Sequence, residues 1–109
     1  MTPAEIKRFI KLVGRGLEIV DYPSPYRYIK LDKHNLIIFN HNQSKRKKIQ
    51  HISTIISYDS DASILIIYKD GSKIVLRFSS ESSTFLFYKY FTYVLENVFR
   101  AKITVQSSM

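Results

Sequence analysis

Four consecutive cations, Lys45-Arg46-Lys47-Lys48, are the residues whose type and spacing point most directly to a chemical task. Adjacent cations repel one another unless anionic groups lie near them, so this run is suited to contacting phosphates. Near an anionic lipid surface each Lys or Arg contributes on the order of 1 kcal/mol. The structural alternative is a solvated segment that keeps a neighbouring sheet edge from pairing with other chains. Both interpretations place the run in a polar loop that starts at Asn40.

Arg27 and Lys30 are weaker candidates for an anion contact. They belong to the alternating segment YRYIKL, in which strand geometry puts them on opposite faces of a sheet, so only one of them can share a face with the basic run. Tyr22, Tyr26 and Tyr28 offer rings on which nucleic-acid bases can stack. No aromatic RNA-binding motif accompanies them, so nucleic-acid binding is the least favoured of three hypotheses.

Catalysis and metal binding find no support in the residue types that perform them. The chain has no cysteine, which excludes disulfides and thiolate ligands. Its histidines lack metal-ligand spacing, and Asp59, Asp61 and Asp70 lack the glycine and glutamate of a calcium loop. No catalytic triad or glycine-rich phosphate loop is recognisable. We therefore expect a non-enzymatic protein with no cofactor and no metal.

The positive charge is concentrated in the first half of the sequence. The net charge is +8, and residues 1–50 carry eleven Lys and Arg against four Asp and Glu. Such asymmetry favours one basic face that attracts phosphates of lipid or nucleic acid. The longest apolar run, Ile64 to Tyr68, is far too short to cross a bilayer. We expect a cytoplasmic chain without a transmembrane segment that can lie peripherally on a membrane.

Two amphipathic helices should position these residues. Residues 3–13 begin with Thr2 as N-cap, with proline at the first helical position and Glu5 closing a capping box, and Gly14 should end the helix. Residues 80–100 begin at a serine cap and carry a wide apolar face. That face contains Phe87, Phe91, Val94, Leu95, Val98 and Phe99.

Between the helices, residues 16–78 alternate short β-rich runs with turn signals. Asp70-Gly71 is the strongest hairpin signal, because both residues tolerate positive φ. The pattern predicts seven strands, and residues 101–109 should form a tail. The strands are expected at 17–22, 26–31, 36–39, 48–51, 54–58, 64–68 and 73–78.

This order of strands and helix resembles the pleckstrin-homology (PH) superfold. The segment from Tyr26 to Asp32 and the following Asn35 to Phe39 look like the signature of PH strands 2 and 3, and Phe91 stands where PH helices usually carry tryptophan. The resemblance implies an α+β fold, in which a seven-stranded antiparallel sheet or barrel is capped by the C-terminal helix. Residues 1–100 would form a single domain with an additional N-terminal helix.

Members of that family that bind phosphoinositides usually have a lysine late in strand 1 and a basic residue two positions before the arginine of strand 2. Arg27 matches that arginine, whereas Asp21 and Pro25 occupy the other two positions, and the loop Pro23-Ser24-Pro25 is uncharged. The resemblance therefore implies a contact with anionic lipid that does not depend on one headgroup. Its residues would be Arg27, Lys30, Lys45, Arg46, Lys47 and Lys48.

A divergent PH fold with an N-terminal helix is also similar to the inner membrane complex sub-compartment proteins of apicomplexan parasites, in which the domain serves as a scaffold. We therefore expect a membrane-targeting or binding module that contacts anionic lipid. The alternative is a protein-interaction scaffold, in which a groove beside the C-terminal helix or an exposed sheet edge receives a partner segment.

Overall fold

The computed structural model describes residues 1–20 and 26–108, which form two helices and two four-stranded sheets. The expected α+β class is therefore confirmed. The prediction of seven strands is wrong, because the described residues form eight strands, one of which follows the second helix. The helices are α1 (Pro3–Arg15) and α2 (Glu81–Asn97), and the strands are β1 (Leu17–Glu18), β2 (Tyr28–Asp32), β3 (Asn35–Phe39), β4 (Ser44–Lys48), β5 (Ile52–Tyr58), β6 (Ser63–Tyr68), β7 (Lys73–Leu76) and β8 (Thr104–Ser108).

Helix α1 begins where its capping residues predict and ends two residues later than expected. The Thr2 hydroxyl oxygen accepts the backbone N–H of Glu5 at 3.2 Å. Gly14 lies within the helix, and Gly16 ends it, with φ of 106° and its N–H donated to the Val13 carbonyl at 3.2 Å. Of Gly14 and Gly16, the second has the left-handed backbone that favours glycine, which explains why the first did not end the helix.

The first sheet has the order β1-β2-β3-β4, with antiparallel pairing throughout. The first strand, predicted at residues 17–22, is shorter in the structure. After β1, Val20 makes an isolated bridge to Arg77, which follows β7 directly. That bridge joins the two sheets, which are not closed into one barrel in the described ranges. The predicted end of strand 1 at Tyr22 and the loop Pro23-Ser24-Pro25 lie outside the described residues.

The segment after β3 differs from the prediction. The Asn40 side-chain oxygen accepts the N–H groups of Asn42 and Gln43, both at 2.8 Å, so the loop is complete within four residues. The chain then pairs back on β3 as strand β4, and the basic run is a strand instead of a loop. The strand predicted at 48–51 is replaced by a 3₁₀ turn, Ile49–His51, which buries Ile49.

The second sheet has the order β7-β6-β5-β8. Its β6–β7 hairpin turns at Asp70-Gly71 as predicted, with Gly71 at φ of 87°. The predicted tail at 101–109 is wrong, because β8 pairs in parallel with β5. After α2, Arg100 adopts φ of 56° and Ala101 donates its N–H to the Leu95 carbonyl at 2.9 Å, which directs the chain back along the sheet. Met109 lies outside the described residues.

Helix α2 packs its apolar face into the core between the sheets. The Ser80 hydroxyl oxygen caps it by accepting the N–H of Ser83 at 3.0 Å. Phe87, Phe91, Val94 and Leu95 are buried as predicted. The helix ends three residues before the predicted boundary, and Val98 remains 48% exposed.

Candidate functional site

The basic run lies on β4, which forms one edge of the first sheet. Successive residues of a strand point to opposite faces, so its four cations cannot all share one surface. Lys45 and Lys47 pair with Ile38 and Leu36, whose side chains point into the core. The outer face of this edge therefore receives Arg46 and Lys48, both of which are exposed.

The register places a third cation beside them. Lys30 on β2 pairs with Ile37 on β3, and Ile37 pairs with Arg46, so the three side chains form one row across the outer face. Ile37 is only 3% exposed although it points away from the main core. The aliphatic stems of its two basic neighbours are positioned to cover it while their charged ends reach solvent. Lys48 lies two residues further along the same face.

Aromatic rings flank this row. Tyr28 stacks on Phe39 with ring centroids 5.4 Å apart, and His41 meets Tyr28 edge-on at 6.3 Å. The Lys30 ammonium lies 5.0 Å from the centre of the Phe39 ring, a cation–π contact. We name the surface formed by Tyr28, Lys30, Phe39, Arg46 and Lys48 the basic face.

Two carboxylates border the basic face. Glu18 pairs with Tyr28 at one end, and Asp32 pairs with Asn35 beside Lys48 at the other. They reduce the local positive charge at the ends of the sheet. The middle row, Lys30, Ile37 and Arg46, contains two cations and no carboxylate.

Lys47 has a structural role that its sequence did not reveal. Its ammonium lies 3.3 Å from an Asp70 carboxylate oxygen, 3.4 Å from the Ser72 hydroxyl and 5.3 Å from the centre of the Tyr68 ring. These contacts join the edge of the first sheet to the β6–β7 hairpin. The pKa of Asp70 is lowered to about 2, chiefly by hydrogen bonds from the Ser72 side chain and backbone and further by Lys47.

Arg27 is exposed and lies apart from the other predicted contacts. It precedes β2, donates its N–H to the Phe39 carbonyl at 3.1 Å and accepts the N–H of Ile19 at 2.9 Å. This position is at the end of the sheet opposite Lys48. The structure thus brings together three of the six predicted residues, and Arg27, Lys45 and Lys47 lie elsewhere.

A second candidate surface is a groove of about 440 Å³ between α1 and α2. Four aromatic rings follow one another along it: Tyr90 stacks on Phe9 at 5.4 Å, Phe9 contacts Phe87 at 5.8 Å, and Phe87 contacts Phe78 at 4.7 Å. Its other lining residues are Glu5, Arg8, Leu12, Leu17, Glu18, Ser79, Ser83 and Leu86. We name it the interhelical groove.

One hydrogen bond closes the groove at the start of α1. Tyr90 donates its hydroxyl to Glu5 Oε2 at 2.8 Å, which links the two helices. The bond lowers the pKa of Glu5 and raises that of Tyr90, because it favours the carboxylate and the neutral phenol respectively. The sequence anticipated a groove beside α2, but nothing in it indicated that α1 would form the second wall.

Within residues 1–20 and 26–108, no three His, Asp or Glu side chains gather as they would around a metal ion. In the same part of the chain, no helix is both long enough and apolar enough to cross a membrane.

The fold defines a class of small α+β domains with two antiparallel-rich sheets and a C-terminal core helix. No protein-family model and no curated protein sequence matches this chain. Among solved structures it is similar to Inner Membrane Complex (IMC) Sub-compartment Protein 3 (ISP3) from Toxoplasma gondii, with a TM-score of 0.64 and 10% identity. The alignment covers 92% of this chain and 86% of that one, so the likeness extends over the fold as a whole.

Proposed function

We propose that this chain is a non-enzymatic binding module that attaches peripherally to anionic membrane surfaces. The observation that carries the proposal is the row of Lys30, Ile37 and Arg46 across three strands, with Lys48 on the same face. A sheet is a rigid support, so these cations reach a flat surface together without the entropy loss of ordering a loop.

The size of the expected attraction follows from the number of cations. Three exposed or half-exposed cations at about 1 kcal/mol each give weak, reversible binding, and Glu18 and Asp32 oppose part of it. Exposed Lys45, at the same sheet edge, adds to the positive potential. Tyr28 and Phe39 are half-buried and suited to the polar-apolar boundary of a bilayer. Binding of this kind responds to surface charge more than to headgroup identity.

Two of the predicted contacts are not part of this proposal. Lys47 is held by Asp70 and Ser72, and using it for lipid would break the link between the sheets. Arg27 lies beyond the end of β2, away from the row. The proposed contact set is therefore Lys30, Arg46 and Lys48, with Lys45 at the border.

We also propose that the chain is a divergent PH-like domain related to the sub-compartment proteins of the inner membrane complex. The likeness to Inner Membrane Complex Sub-compartment Protein 3 of T. gondii supports this relationship at the level of the fold. A peripheral location on the cytoplasmic side of a membrane agrees with both proposals.

Co-sedimentation with liposomes tests the membrane proposal. Neutral phosphatidylcholine vesicles are compared with vesicles that contain phosphatidylserine or a phosphoinositide, each at low and at physiological salt. We expect binding to both anionic types, weakened by salt because screening shortens the reach of exposed charges to about 8 Å.

The variant Arg46→Glu/Lys48→Glu should abolish this binding. A matched control, Lys89→Glu/Lys102→Glu, makes the same change in net charge at exposed positions of α2 and of the segment after it. We expect the control to keep most of its binding. Equal loss in both variants would mean that net charge alone acts, and no binding of the unaltered chain at low salt would overturn the proposal.

A further inference from the structure

We propose that the interhelical groove binds an amphipathic helical segment of a partner protein, and that this segment carries acidic residues along one flank. This function uses a different surface from the basic face, which lies on the outer side of the first sheet, and Glu18 lies at the border of both surfaces. It rests on the shape of the groove, its apolar exposure and the charges beside it.

The shape and lining suit a helix. Both long walls are helices, and each contributes residues at helical spacing: Glu5, Arg8 and Leu12 from α1, and Ser83, Leu86 and Tyr90 from α2. Helix-in-groove recognition uses a hydrophobic trough that receives side chains spaced three and four residues apart.

The groove exposes apolar surface that the described residues of the chain do not cover. Leu12 is 51% exposed and Leu86 is 49% exposed, and they lie on opposite walls above the aromatic floor. Single exposed leucines are ordinary on a protein surface, but two that face each other across a hydrophobic trough are typical of a binding site. The expected apolar anchors of the partner would lie between them.

The charges beside the groove favour an acidic partner. Arg8, Lys11 and Arg15 are spaced i, i+3 and i+7, so they follow one another along the shoulder of α1 above Leu12, and all three are exposed. The opposite wall presents Ser79 and Ser83, which are uncharged.

The acidic residues of the groove oppose this ridge only in part, because its three cations outnumber the two carboxylates of the lining, Glu5 and Glu18. Glu5 stays ionised, and its two carboxylate oxygens accept the hydroxyl groups of Tyr90 at 2.8 Å and of Thr2 at 3.1 Å. A helix with glutamates on the flank that faces α1 would pair with the ridge, and the net charge of +8 would draw it in over a longer range.

Selection from a displayed library tests the proposal without a known partner. The library presents amphipathic segments of about 15 residues, roughly four helical turns, with the polar flanks randomised. Binding of selected segments is then measured by fluorescence anisotropy. We expect the selected flanks to be rich in Asp and Glu and the affinity to fall as salt is raised.

Matched variants locate the site. Leu12→Asp and Leu86→Asp should each weaken binding by about tenfold or more, as loss of an interface anchor does. Phe85→Asp and Val75→Asp, at residues equally exposed but outside the groove, should leave it unchanged. Circular dichroism confirms that every variant is folded.

A charge-reversal experiment tests the orientation. The variant Arg8→Glu/Lys11→Glu/Arg15→Glu should weaken the binding of segments with acidic flanks. It should strengthen the binding of the same segments when their flanks carry Lys instead. The control Lys69→Glu/Lys73→Glu/Lys102→Glu has the same net charge and should do neither.

Three results would overturn the proposal. One is that the library yields no segment whose binding depends on Leu12 and Leu86, or that the selected segments have no excess of Asp and Glu. Another is concentration-dependent self-association that Leu86→Asp abolishes, which would make a second copy the occupant. The third is loss of liposome binding in Leu86→Asp, which would assign the groove to the membrane.

Discussion

Three phenylalanines of α2 differ in burial, so replacing each of them tests how the groove and the core affect the stability of this helix. Phe91 is fully buried, Phe87 is 3% exposed and forms part of the groove floor, and Phe85 is 57% exposed. Replacing each by alanine removes the same ring from three environments. Because burial increases in the order Phe85, Phe87, Phe91, we expect the loss of unfolding free energy on substitution to increase in the same order.

The magnitudes follow from the contacts. Phe87 meets three rings with centroids between 4.7 and 5.8 Å away, so Phe87→Ala loses both transfer energy and packing, about 3 kcal/mol. The hole it leaves opens into the groove, where water can enter and neighbouring side chains can move inward. The space left by Phe91→Ala is sealed, which should bring the cost to about 4–5 kcal/mol. Phe85→Ala should change stability by no more than about 0.5 kcal/mol.

Urea denaturation followed by far-UV circular dichroism measures these differences, with one slope for all variants if unfolding is two-state. A chain of this size has a total stability of about 5–15 kcal/mol, so Phe91→Ala should leave it marginally folded. A cost of Phe87→Ala equal to that of Phe91→Ala would refute the idea that the groove relieves the cavity. A large cost of Phe85→Ala would contradict the assigned exposure.

Two further predictions concern the backbone and an exposed carboxylate. Gly16→Ala should cost about 1–2 kcal/mol in thermal unfolding, because its left-handed backbone disfavours a side chain and the new Cβ would lie 3.1 Å from the Phe39 ring. Gly14→Ala should instead stabilise α1 by up to about 1 kcal/mol, since its new Cβ would lie 3.8 Å from the nearest atom. Equal effects of the two substitutions would contradict the assignment of Gly16 as the C-cap. The Asp70 pKa of about 2 lies below its ordinary value of 3.8, so its contribution to stability is complete above pH 3.8 and is lost as the pH falls through 2. Asp70→Asn keeps an amide oxygen that can accept the N–H and hydroxyl of Ser72, but it lacks the negative charge that strengthens those bonds and attracts Lys47. It should therefore be less stable than the unaltered chain at neutral pH, and the difference in stability should narrow on acidification in denaturant titrations. A difference that is constant with pH would refute the role of ionisation.

Local signals determined both helices and most strands. The caps at Thr2 and Ser80 act through atoms three residues away, so the sequence alone locates the starts of α1 and α2. The hairpin at Asp70-Gly71 is equally local, because the Asp70 carboxylate accepts the N–H of Ser72 at 2.9 Å. The buried face of α2 follows from its helical spacing.

The two strands with polar sequences depended on pairing partners elsewhere in the chain. In β4, four cations have little strand propensity of their own, and the strand forms because β3 offers an unpaired edge. In β8, the sequence TVQSS has no hydrophobic pattern, and its pairing with β5 spans a distance in sequence that no local rule covers. Neither strand could be read from periodicity.

The two candidate sites likewise depended partly on the sequence and partly on the tertiary structure. The sequence by itself determined that Lys45 to Lys48 would be basic and that a wide apolar face on α2 needed a partner surface. The tertiary structure determined which of those cations share a face, because pairing of β4 with β3 sets which of its side chains point outward. It also placed the Lys47 ammonium beside the Asp70 carboxylate. It also created the interhelical groove, because α1 and α2 lie far apart in the sequence, on either side of strands β1 to β7, and the folded chain brings them into contact.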